Sequence, residues 1–500
     1  METFYLILSS LIAIVCITKF IVGKNKNLPP SPFPSLPIVG HLYLLKSPLY
    51  RALAKVSNRH GPMLMLQFGT RRTLLVSSPA AVEECLTTND ATFANRPQLL
   101  AGKHIGYDYT TITWSNYNGH WRNLRRIASL ELLSAQRLHA LNPIHMEEAR
   151  LLVNEVHRRA MRDDGMVEMK SLLFEMMLNV VMMMIAGKRF FGDLVADVEE
   201  ARRFKGIVKD TFEVMESANV TDYLPWWKWV GGTELEKKMV ALRAKRDAFM
   251  QDLLDDYKRQ PIKENIEEKT NLIQVLVKLQ EADPECYKDH VIKGLMLELL
   301  SAGSDATSGT MEWMLSLLLN NPQYLKKAQA EIDNYVGEDR LICESDISNL
   351  PYLRCIINET MRMYPPGPLL FHESSKDCKV GGYHIPGGTM IVINLWAIHN
   401  DPNNWEDPKK FKPERFKEVE GSRDGYKLIP FGSGRRGCPG ENFAMLMVGL
   451  VVGTLIQCFE WERIDEKMID MTEGKGITMP RANPLVAKCR SRGKMAKFLS

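Results

Sequence analysis

Apolar positions follow two periods along the 500-residue chain. Met63 to Phe68 and Arg72 to Val76 are short strand-like runs, and the pattern from Ala80 to Leu319 is mostly helical. Short strands and turns return between Val380 and Ile393. The arrangement predicts a mostly α protein with a small β-rich part. The longest apolar pattern, Val291 to Leu319, would span about 40 Å as a helix. Leu295, Leu299, Ala302, Ala306 and Thr310 fall on one stripe of it. A second apolar helical pattern, Glu441 to Phe459, follows directly on a glycine-rich stretch.

The N-terminal pattern is different. Phe4 to Thr18 is an unbroken run of apolar or small residues, extended by Lys19-Phe20-Ile21-Val22 and followed by Lys24 and Lys26. Such a run suffices for a bilayer if Lys19 snorkels. A cleaved signal peptide is the competing reading, yet Glu2 is the only charge ahead of the run and the cations follow it. The positive-inside rule then keeps everything after Lys19 in the cytosol. Leu28-Pro29-Pro30-Ser31-Pro32-Phe33-Pro34-Ser35-Leu36-Pro37 is dense in proline, hence extended and semi-rigid. Residues 1–23 are expected to form a transmembrane anchor, 24–41 a basic and proline-rich hinge, and 42–500 a single domain. No repeat, low-complexity tract or second linker interrupts that domain.

Composition narrows the partners. Charged residues make up 25% of the chain, hydrophobic ones 45%, and the net charge is +4 with no Lys/Arg tract, which argues against nucleic acid. The nine cysteines are scattered without a pairing motif, which fits a reducing compartment. Trp226-Trp227-Lys228-Trp229 reads as an anchor at a lipid interface, a core cluster or a loop cover.

One stretch carries chemistry by its own composition: Pro430-Phe431-Gly432-Ser433-Gly434-Arg435-Arg436-Gly437-Cys438-Pro439-Gly440. It reads as a cysteine on a tight loop at the mouth of a helix, with Pro439 in the first helical turn. Unpaired N–H groups and the helix dipole there favour a thiolate, a strongly donating metal ligand. Arg436 has the chemistry to pair with a carboxylate on whatever the sulfur binds. Gly432 to Gly437 formally matches a dinucleotide fingerprint, but no βαβ unit surrounds it.

The spacing Phe431-x-x-Gly434-x-Arg436-x-Cys438-x-Gly440 resembles the haem-binding signature of the cytochrome P450 family. The resemblance implies a mostly α fold with a small β-rich subdomain, an N-terminal membrane anchor, and haem b whose iron is held by the Cys438 thiolate. It further implies that Trp121 and Arg125, one helical turn apart, sit beside the haem and hydrogen-bond a propionate, with His372 reaching the other. Glu359 and Arg362 resemble the Glu-x-x-Arg motif, and Arg415 in Pro413-Glu414-Arg415-Phe416 supplies the third member of a triad that locks the cysteine loop. Ala302-Gly303-Ser304-Asp305-Ala306-Thr307 resembles the oxygen-binding groove, in which an Ala-Gly pair admits haem and an acid followed by threonine delivers protons.

The chain departs from that pattern at Ala306, which stands in place of the threonine. Alanine cannot donate or relay a proton, and Thr307 lies about 100° further round the helix. Either ordered water replaces the hydroxyl or the substrate supplies it. Phe93-Ala94-Asn95-Arg96-Pro97, His372-Glu373-Ser374-Ser375 and Trp396-Ala397-Ile398-His399 resemble the plant subfamily of isoflavone hydroxylases and sesamin (piperitol) synthases. That likeness implies an endoplasmic-reticulum enzyme fed by NADPH through a separate reductase, acting on a small aromatic substrate. Closure of methylenedioxy bridges on ortho-hydroxymethoxyphenyl rings, as in a lignan such as pinoresinol, is one reaction it implies. Hydroxylation of flavonoids, isoflavonoids or terpenoids is the alternative, and a haem-thiolate isomerase or dehydratase or a non-catalytic binder stands further off. Leu370 and Ile477 are expected in the substrate pocket.

Overall fold

The computed structural model describes residues 27–499 except 33, 216–218, 260–270 and 418–424. The expected anchor at 1–23 lies outside the described residues, as does part of the hinge. The described part of the hinge runs along the first strand: the Met65 N–H donates to the Pro30 carbonyl at 2.9 Å, and the His41 ring joins Pro32 to Gln67.

A four-stranded sheet has the order Met63–Phe68, Arg71–Val76, Met390–Asn394, Leu369–Glu373. Its first two strands form a hairpin, and Arg71–Val76 then pairs in parallel with Met390–Asn394 across more than 300 residues of chain. Every residue of Met390–Asn394 is buried, which explains its unbroken apolar sequence: a strand covered on both faces has no reason to alternate. Two smaller sheets complete the β part among the described residues.

The rest of the ordered structure is mainly helical, built round three helices that are apolar over most of their surface. Met169–Ala186 and Glu441–Cys458 are long and apolar enough to cross a membrane, but 67% and 72% of their residues are buried inside the protein. They form its core and pack on the 32-residue helix Asp289–Asn320, which stops at Asn321-Pro322. That helix crosses the other two at Gly303, where an added Cβ would lie 3.2 Å from Val181 and 3.7 Å from Phe443. The glycine is thereby explained by close helix packing. Trp229 is 89% exposed and Trp226 and Trp227 are each about two-fifths exposed, so this segment is not a core cluster.

Candidate active site

The cysteine loop is built from its glycines. Gly432 and Gly434 both have φ of +68°, and a Cβ on Gly434 would lie 2.6 Å from Asp90 Oδ1 and 2.7 Å from the Leu86 carbonyl. That same Asp90 accepts from the Arg435 guanidinium at 2.7 Å, which pins the loop to its neighbour. The Cys438 N–H donates to the Phe431 carbonyl at 2.8 Å, and the Gly440 N–H donates to Sγ of Cys438 at 3.3 Å. The helix begins at Glu441 with Gly440 as its cap, so Pro439 lies just before the helix rather than in its first turn.

Burial pushes the Cys438 thiol up and outweighs the Gly440 N–H and the Arg125 charge, which pull it down. Cys438 is nevertheless the exposed one among the eight described cysteines. A sulfur that is open yet hemmed in by protein sits at the floor of a recess, and a bound cation is what would deprotonate it.

Three guanidiniums converge beside that recess. Arg436 donates to the carbonyls of Ala94 at 2.6 Å and Ile112 at 3.1 Å and to that of Ser115, and it lies 4.4 Å over the Trp121 ring. Arg125 donates to the Gly437 carbonyl and Arg96 to the Phe371 carbonyl. Burial pulls Arg436 down to about 9, helped by Arg96 and Arg125, and pulls Arg96 down to about 10. The Arg96 Nε is buried without a partner. Neutral carbonyls offset little of three charges and Glu298 opposes only that of Arg96, so the cluster has charge left for an anion. Arg96 belongs to this cluster and was not expected in it.

Two expected donors are otherwise engaged. The single Trp121 indole N–H donates to the Ile112 carbonyl at 2.9 Å, so Trp121 positions Arg436 instead of offering its own hydrogen bond. The His372 Nδ1–H donates to the Phe93 carbonyl at 2.9 Å, and burial, with the Arg96 charge beside it, pulls the imidazole down to about 3. His372 is thus a neutral ring with only an acceptor left.

Above the loop, the long helix turns Ala302, an exposed residue, and half-buried Ala306 toward open space. Its hydroxyls face elsewhere: Ser304, Thr307, Ser308 and Thr310 are all buried. Ser304 donates back to the Leu300 carbonyl at 2.6 Å and Thr310 to that of Ala306 at 2.8 Å. Asp305 is half-buried and accepts from the Thr478 hydroxyl at 2.7 Å. Thr478 brings the 473–481 loop to this helix; its neighbour Ile477 is 61% exposed, whereas Leu370 is partly buried and faces Gly432.

Glu359, Arg362 and Arg415 meet as the sequence motif implies. Arg362 holds both oxygens of Glu359, at 2.7 and 2.9 Å, and Arg415 holds Oε1 at 3.1 Å; Glu359 and Arg362 are fully buried. Arg362 also donates to the His399 carbonyl at 2.8 Å, and the Ile429 N–H donates to His399 Nε2 at 3.1 Å. The pair therefore reaches the start of the cysteine loop through His399.

An accessible cysteine at the foot of a recess, three guanidiniums with little opposing charge at its side and a small-residue helix face above it fit a planar dianionic macrocycle carrying a thiolate-bound metal. Fold and site together define a haem-thiolate enzyme. The Cytochrome P450 family profile matches residues 29–487. The chain is 47% identical to cytochrome P450 81Q32 of Catharanthus roseus, over 95% of this chain and 94% of that protein. It is 43% identical to a (+)-piperitol/(+)-sesamin synthase of Sesamum radiatum, over 95% and 92%, and 43% identical to an isoflavone 3'-hydroxylase of Medicago truncatula, over 97% and 96%. A zebrafish cytochrome P450 solved with progesterone superposes with a TM-score of 0.75 at 27% identity, over 89% of this chain and all of that one. The chain belongs to the cytochrome P450 family: it is a monooxygenase of plant specialised metabolism that uses haem with thiolate-ligated iron.

Proposed function

We propose that this monooxygenase closes methylenedioxy bridges on ortho-hydroxymethoxyphenyl substrates of the lignan or phenylpropanoid type. The observation that carries the reading is the hydroxyl-free face of the long helix: Ala302 is exposed and Ala306 half-buried, while the neighbouring hydroxyls are buried. The likeness to a (+)-piperitol/(+)-sesamin synthase favours it; the likeness to isoflavone hydroxylases keeps aromatic hydroxylation as the second reading.

Haem bound at Cys438 supplies the activation of dioxygen. Arg96, Arg125 and Arg436 are the groups with charge to hold its propionates, and Phe431, Gly440 and Ala302 border the space it needs, whereas the expected contact from Gly303 is replaced by packing on Val181 and Phe443. His372, neutral, orders the backbone at Phe93 and accepts where a protonated acid is offered. Ala306 leaves room for the substrate phenol, so the phenol or a water it carries replaces the missing threonine. Asp305, held by Thr478, is the protein's proton carrier at that point. The balance is one O-methyl and one ortho phenol, with O2, NADPH and H+, giving one O–CH2–O ring, two waters and NADP+. The O-methyl carbon is oxidised, the phenol oxygen closes on it, and the phenol proton leaves.

In this reading the electrons come from a separate NADPH-cytochrome P450 reductase. The chain is anchored once in the endoplasmic-reticulum membrane by residues 1–23, with the catalytic domain cytosolic and Trp229 at the lipid interface. The test is Ala306→Thr incubated with reductase, NADPH and pinoresinol: bridge closure falls several-fold relative to hydroxylation or demethylation. An unchanged product ratio overturns the role given to Ala306.

A further inference from the structure

One polar cluster on the helix above the recess has no part in the chemistry described so far. Glu298 precedes Ala302 by one turn and Ala306 by two on the same stripe, which places it about 6 and 12 Å along the axis. It is half-buried, and the Thr113 hydroxyl donates to its Oε2. Arg246, from the helix Glu234–Arg259, is pulled down by burial, which Tyr107 and then Glu298 oppose. Arg246 is only 5% exposed, and its Nη1 is buried without a hydrogen-bond partner. Its neighbours are already satisfied by one another: Lys293 Nζ lies 2.6 Å from Asp247 Oδ1, and the Tyr107 hydroxyl donates to the same oxygen at 3.0 Å. Thr111, 5% exposed, lies on the Glu298 carboxylate and with Thr113 holds it toward the charged form.

A buried guanidinium with an unpartnered nitrogen costs free energy, and the Glu298 carboxylate beside it, held by Thr111 and Thr113, keeps lone pairs free to accept from a ligand. The ligand chemistry that completes both is narrow. A carboxylate would repel Glu298, an ammonium would repel Arg246, and an ether has no proton for Glu298. A hydroxyl accepts from the cation and donates to the acid at once. We propose that Glu298, Arg246 and Thr113 form a recognition site for an aromatic hydroxyl at the end of the substrate remote from the reacting carbon.

This deepens the bridge-closing reading and rests on it only for the reacting end. A two-ring phenol has one ring beneath Ala302 and Ala306 and its second hydroxyl at Glu298. A consequence follows for a substrate with two identical hydroxymethoxyphenyl rings. After one closure, the remaining free phenol must take the reacting position, and the closed ring then faces Glu298 with no proton to donate. The enzyme therefore stops after one bridge.

The test uses the haem-loaded enzyme and a matched series of ligands in which imidazole binds the iron and a biphenyl arm carries hydroxyl, methoxyl or hydrogen at its far carbon. Binding is read from the shift of the haem absorption band, so no turnover is involved. In the natural protein the hydroxyl ligand binds about tenfold or more tighter than the methoxyl ligand, the size expected for hydrogen bonds to charged partners. Glu298→Leu reduces that ratio to within about threefold while leaving affinity for the unsubstituted ligand unchanged, which separates loss of the site from loss of the fold. Equal binding of hydroxyl and methoxyl ligands in the natural protein, or an unaltered ratio in Glu298→Leu, overturns the proposal. If the ratio behaves as expected but no bridged product is ever formed, the hydroxyl site stands and the assigned reaction falls.

Discussion

Thr478 Oγ1 donates to Asp305 Oδ2 at 2.7 Å, joining the acid beside Ala306 to a loop 173 residues further along the chain. The acid's orientation is thus set from outside its own helix. Where an alanine has replaced the hydroxyl that would share proton delivery, the remaining acid carries more of the task. Thr478→Val is expected to lower product formed per NADPH several-fold and to change the pH profile of that ratio, and Thr478→Ser to restore both. The measurement is NADPH consumption against product; unaltered coupling in the valine variant contradicts the assignment.

Glu359 and Arg362 are both fully buried and bonded through two contacts, at 2.7 and 2.9 Å. Removing the acid leaves a buried guanidinium uncompensated. Glu359→Ala should cost about 3–5 kcal/mol of stability and much of the haem content, because the Arg362 contact to His399 supports Ile429 at the head of the cysteine loop. Urea unfolding and the reduced carbon monoxide difference spectrum read the two effects. The double variant Glu359→Leu/Arg362→Met should recover part of the stability, since it leaves no stranded charge.

Acid sensitivity follows from buried histidines. Burial pulls His372 and His399 down to about 3 and His145 to about 4. Each binds a proton more readily unfolded, with an ordinary value near 6.5, than folded. Their contributions to stability are therefore complete above about pH 6.5 and are lost as pH falls through the window toward 3 or 4. His145 has both ring nitrogens unpartnered and its ring 5.7 Å from that of Phe443. His145→Phe should flatten the acid side of a urea-midpoint curve measured between pH 7.5 and 4.5. A curve as steep as that of the natural protein would exclude His145 as a contributor.

The legibility of the site in the sequence was uneven, for physical reasons. Cys438 and its glycines are local: one loop needs those residue types within ten positions. Glu359, Arg362 and Arg415 were legible because a short spacing marks two of them on one helix turn. Arg96 was passed over since nothing in Asn95-Arg96-Pro97 distinguishes a buried cation from a surface one, and only the fold brings it to Arg125 and Arg436. Trp121 was given a donor it spends on Ile112, a tertiary contact invisible in a pattern. The groups that favour a thiolate at Cys438 were legible as helix-end electrostatics, whereas the burial that opposes them was not. Among the described residues the strand-like runs at Met63–Phe68 and in Arg71–Val76 formed as their pattern predicts, but their parallel partner Met390–Asn394 is a matter of topology.

The most direct measurement is the mass of the product formed when the enzyme, with a plant reductase and NADPH, turns over pinoresinol and related methoxyphenols. Loss of two hydrogens per turnover is the predicted result, with accumulation at one bridge. Gain of one oxygen would contradict it, and would make the chain an aromatic hydroxylase in which water completes the proton path past Ala306.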